Sequence, residues 1–111
     1  DKSKAELYKW GDGCDGWHLV KQNALSVIQE RMPPGTREFA IITGGAAIFF
    51  VLKGVTTIEI AGERQTLHPW EDVEIPPNVS HQIMNETSGD LEFLVVSQPM
   101  SHGDRVVVEE R

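Results

Sequence analysis

The chain predicts an all-β fold, a sandwich or small barrel, on three observations. Apolar and polar residues alternate in short runs, turn-forming residues interrupt those runs about every ten positions, and no segment carries the period of a long helix. Only Ser3 to Trp10 suggests a helix, a short N-terminal one of about two turns with Ser3 as N-cap and Glu6 as its capping-box partner. After Gly11-Asp12-Gly13 the pattern becomes that of strands. These are His18 to Gln22, Leu25 to Met32, Arg37 to Thr43, Ile48 to Lys53, Val55 to Ile60, Arg64 to Leu67, Asp72 to Ile75, His81 to Asn85, Leu91 to Ser97 and Arg105 to Glu109. Pro33-Pro34-Gly35, Gly44-Gly45, Ala61-Gly62, Pro69, Pro76-Pro77 and Ser88-Gly89 separate them.

The 111 residues suffice for one domain with its own core, and no linker or repeat divides them. The content of 40% hydrophobic and 24% charged residues is that of an ordinary globular protein. A formal charge of -7 opposes a phosphate backbone and an anionic lipid surface, so neither nucleic acid nor membrane is expected as a partner. Cys14 is the only cysteine, which rules out an internal disulfide and makes a cytoplasmic setting the default expectation. Asp1 to Lys9 lacks the apolar segment of a signal peptide. The apolar run from Phe39 to Leu52 is broken at Thr43-Gly44-Gly45 and falls short of the roughly 20 residues of a membrane helix. No P-loop, G-x-G-x-x-G or G-x-S-x-G pattern is present, and no cofactor is expected.

The most informative stretch runs from Ile75 to Asn85. Pro76, His81 and Asn85 stand at the spacing P-x-G-x2-H-x3-N, with Asn78 at the glycine and Trp70 where a further glycine would precede it. This resembles the second motif of the cupin family, whose histidine binds metal. The first motif of that family, G-x5-H-x-H-x3-E-x6-G, lies on Gly35 to Gly54 without a gap, and its two histidines and glutamate fall on Ile41, Thr43 and Ala47. Met32 to Thr36, Phe49 to Gly54 and Leu91 to Ser97 extend the likeness to about residues 25–99. The resemblance implies a double-stranded β-helix, or jelly-roll barrel, and a homodimer, which exposed edge strands would also encourage.

One imidazole with no second protein donor does not hold a divalent ion tightly, so no metal is expected at the family's site. A register shifted by one residue, placing the ligands on Ala40, Ile42 and Ala47, leads to the same expectation. The run Gly44 to Ala47 replaces large polar side chains with small ones. Either Trp70 or a nearby phenylalanine fills the space, or it forms an apolar pocket with one polar wall. The second reading predicts a small apolar or aromatic ligand held by Ile41, Thr43, Ala47, Phe49, His81 and Ile83, in a redesigned scaffold or a natural cupin that has lost its metal.

The alternative is an enzyme without metal, a Cys14 nucleophile paired with His81, or with His18 as second choice, hydrolysing an ester. A cupin with the family's metal-dependent chemistry is the remaining alternative. Of the other titratable residues, Glu38, Asp72 and Glu74 read as solvated by their alternation with Phe39, Val73 and Ile75. His18, His68 and His102 read as surface residues, and so do Arg31 and Arg37.

Overall fold

Among the described residues the strands form two antiparallel sheets. The structure is a computed structural model that describes residues 6–10, 13–21, 25–42, 45–98 and 105–107. The strands are β1 (Glu6–Trp10), β2 (Cys14–Lys21), β3 (Ser26–Met32), β4 (Arg37–Ile42), β5 (Ala46–Lys53), β6 (Thr56–Ile60), β7 (Glu63–Leu67), β8 (Asp72–Ile75), β9 (Ser80–Met84), β10 (Leu91–Gln98) and β11 (Arg105–Val107). One sheet has the order β1-β2-β3-β10-β5-β8 and the other β11-β4-β9-β6-β7. Neighbours distant in sequence, β3 with β10 and β4 with β9, make this a jelly roll rather than a meander. Among the described residues no helix is long and apolar enough to cross a membrane.

The expected N-terminal helix is not formed. Glu6–Trp10 is a strand paired with β2 from Glu6↔His18 to Trp10↔Cys14, while residues 1–5, including the proposed cap at Ser3, lie outside the described residues. Two turns of helix are marginal in water, whereas pairing with β2 supplies a ladder of backbone hydrogen bonds.

Period-2 alternation builds the core. On β3, Ser26, Ile28, Glu30 and Met32 are buried and alternate with half-exposed residues. Directly paired residues share a face, so the inner rows of this sheet read Ile28–Val95–Phe49–Val73 and Ser26–Ser97–Ala47–Ile75. In the facing sheet the inner rows are Glu38–Ile83–Ile58 and Ala40–His81–Ile60.

The turns carry the motif's glycine positions. Gly35 and Gly54, which bound the first motif, have φ of 78° and 84°. Trp70 and Asn78, which stand at glycine positions of the second, have φ of 70° and 63°. All four are left-handed, the region where a Cβ is costly. Asn85 closes the mouth between β9 and β10. Its Nδ2 donates to the carbonyl oxygens of Met32 and Gly89, and its Oδ1 accepts from the N–H and hydroxyl of Thr87.

Candidate functional site in the barrel interior

His81 stands on the inner face of β9, 1% exposed, because its neighbours across the ladder, Ala40 and Ile60, present the same face. Phe49 approaches it from the opposite sheet, with ring centroids 5.4 Å apart and planes at 75°. Phe49 also stacks on Phe93 at 5.5 Å, so both rings are wedged into the interior. Trp70 is 74% exposed and meets Phe50 on the outside at 5.7 Å. Of the two residue types considered for the space beside His81, a phenylalanine, Phe49, stands next to the imidazole and Trp70 does not.

Of the residues proposed for a ligand, the structure gathers Ala47, Phe49, His81 and Ile83 on inner faces, all buried. Ile41 is a correction. It pairs with Ser80, one position out of step with His81, and belongs to the outer face with Phe39 and Gln82. Ala40, fully buried, is the residue opposite His81, as the shifted register has it. Thr43 and Gly44 lie outside the described residues.

Two carboxylates also face the barrel interior, those of Glu38 and Glu30. Glu38 pairs with buried Ile83 and therefore faces inward, which corrects the expectation of a solvated side chain. Glu30, 0% exposed, was available from the pattern Ile28-x-Glu30-x-Met32, whose flanking residues are both core. Its cross-strand neighbour is Gly16, which leaves room for a carboxyl group. Asp72 and Glu74 are exposed, as expected.

Cys14 is 2% exposed in the core cluster. Burial pushes its thiol up to about 11, a hydrogen bond with Thr36 opposes the rise, and the charges of Glu38 and Glu30 add to it. A thiol so held is protonated at neutral pH, the reverse of what a nucleophile requires. His18 is half-buried and faces inward beside Ile28, which corrects its placement on the surface. It lies on the same strand face as Cys14 four residues away, roughly 13 Å at the rise of a strand, far outside hydrogen-bond reach. His81 meets Phe49, whereas the side chains that act on the Cys14 thiol are Thr36, Glu38, Glu30 and Arg31. The geometry thus gives the Cys14–His hydrolase no support. Arg31 is tied down by Asp15 at 2.8 Å and Asp90 at 3.3 Å, and His68 is exposed, 3.2 Å from Glu71. His102 lies outside the described residues.

A divalent ion needs several imidazole and carboxylate donors converging on one point. Ala40 and Ala47 supply none, and among the described residues no three His, Cys, Asp or Glu side chains are grouped closely enough to hold an ion. Among the described residues at the family's metal positions, His81 alone carries a donor group.

No curated protein is similar to the chain in sequence. Solved structures share its fold at low identity. An RmlC-like cupin from Shewanella frigidimarina superposes with a TM-score of 0.81 at 15% identity, covering 91% of this chain and 89% of that one. KdgF from Halomonas gives 0.83 at 14%, covering 93% and 94%. Streptomyces PAC13, solved with uridine, gives 0.80 at 14%, covering 98% and 88%. The sequence profile described as Cupin domain matches residues 28–97, more than half of the chain, and the chain belongs to the cupin family.

Proposed function

We propose that this cupin works without the family's metal and binds a small, mainly apolar or aromatic molecule inside the barrel, beside His81. The observation that carries the reading is the Phe49–His81 contact with alanine on either side. The imidazole meets an aromatic ring, Ala40 is its direct ladder partner, Ala47 precedes Phe49 on the same face, and Glu38 stands in the next inward row. An apolar lining with few polar groups is the usual composition of a small-ligand site. A ligand that binds only the folded state raises its melting temperature by mass action. A panel of small aromatic compounds should therefore raise the melting temperature of the wild type and leave Ala47→Phe unmoved. Flat melting curves across the panel, with wild type and variant alike, would overturn the reading.

A second copy of the chain is the proposed partner, on the outer face of the six-stranded sheet. Ile48 is 39% exposed there and lines a groove of about 220 Å³ with Leu25, Ala46, Glu74 and Val96. Six strands about 4.8 Å apart and some seven residues long make a face of roughly 600 Å², close to the ~800 Å² that each partner buries in a standard interface. Light scattering should give a dimer mass that Ile48→Glu reduces to a monomer. A monomeric wild type at micromolar concentration would overturn this assignment and leave the interior site untouched.

A further inference from the structure

Among the described residues, Ser26 places a hydroxyl on the inner face that the fold does not satisfy. Ser26 is fully buried, and its Oγ has no hydrogen-bond partner among the described residues. Buried polar groups are almost always satisfied, so an orphan of this kind points to a molecule that supplies the bond. Ser26 begins a row of small side chains. It pairs with Ser97 and Ser97 pairs with Ala47, all buried on one face. Directly opposed Cβ atoms lie about 5 Å apart, so the hydroxyl is within two such steps of Ala47. Phe49, which touches His81, is the next inward residue after Ala47. The orphan hydroxyl therefore shares one end of the barrel with the small residues and the imidazole. Against a wholly apolar ligand it stays unsatisfied.

We infer that Ser26 is the specificity-determining anchor of the interior site and that the ligand is a small neutral molecule carrying a hydroxyl, carbonyl or amide group on an apolar or aromatic frame. A serine hydroxyl both donates and accepts, so each of these groups completes it. The inference rests on the interior binding proposed above and goes beyond it by naming the polar group that the ligand must bring.

The test uses benzyl alcohol and ethylbenzene, which differ by a hydroxyl in place of a methyl, with the wild type and Ser26→Ala. Loss of the anchor should shift the ratio of the two dissociation constants toward ethylbenzene by at least about tenfold. The ligand-free Ser26→Ala protein should melt at the same temperature as the wild type or higher, since the substitution removes an unsatisfied group. An unchanged ratio overturns the assignment, and so does a lower ligand-free melting temperature, which marks a hydroxyl satisfied by the protein. If the wild type binds neither compound up to its solubility limit, the interior-binding reading itself fails and the role of Ser26 falls with it.

Discussion

The rings of Phe49 and His81 stand nearly perpendicular, at 75° with centroids 5.4 Å apart, and this contact joins the two sheets across the barrel. Phe49 is also stacked on Phe93, so truncating it unpacks both neighbours. Phe49→Ala should destabilise the fold by about 3 to 5 kcal/mol in urea unfolding, whereas Phe50→Ala, on the half-exposed outer face, should cost much less. Equal costs would mean that the interior is not organised around Phe49.

The ladder register makes a prediction about metal. Ala40→His together with Ala47→Glu places a second imidazole directly opposite His81 and a carboxylate on the facing sheet. This double variant should bind zinc more tightly than the wild type by calorimetry. Ile41→His with Ala47→Glu should not, because Ile41 is on the outer face. The opposite ranking would restore the register read from the first motif.

Left-handed positions test the turns. A Cβ at Gly54 would lie 2.6 Å from the carbonyl oxygen of Asp90, whereas one at Gly62 meets nothing within 4 Å. Gly54→Ala should therefore be clearly more destabilising than Gly62→Ala, which bears only the backbone cost of about 1 kcal/mol. Trp70→Gly should be neutral or stabilising by up to ~1 kcal/mol, since φ is 70° and most of the side chain is in water.

These turns were legible in the sequence and the interior chemistry was less so. Trp70 and Asn78 were recognisable as glycine positions from the motif spacing alone, and both have positive φ. The strands from Leu25 onward followed from alternation, since inward and outward residues differ in polarity on most of them. β1 was misread because Ser3 and Glu6 imitate a helix start, a local signal that pairing with β2 overrides. Glu38 was misread because a charged residue beside Phe39 reads as the solvent side, and only its pairing with Ile83 reverses the two faces. The same one-residue ambiguity put Ile41 where Ala40 belongs.

Cys14 gives a pH signature. Its folded-state pKa of about 11 exceeds the ordinary 9.0 because burial disfavours the thiolate. The neutral thiol is the favoured form, so its contribution to stability is complete below pH 9.0 and is lost as pH rises toward about 11. The stability difference between wild type and Cys14→Ala should thus be constant at neutral pH and shift against the wild type in that alkaline window. Alkylation at pH 7.5 should be slow in the folded protein and fast after unfolding; rapid labelling of the folded protein would contradict the buried thiol.

The isoleucines report directly on whether the barrel interior is the binding site. Ile58, Ile75 and Ile83 are buried on inner faces, while Ile41 and Ile48 face outward. In a methyl NMR titration with benzyl alcohol, the resonances of Ile58, Ile75 and Ile83 should shift and saturate together, with Ile41 and Ile48 unmoved. Shifts confined to Ile41 and Ile48, or none at the solubility limit, would contradict an interior site.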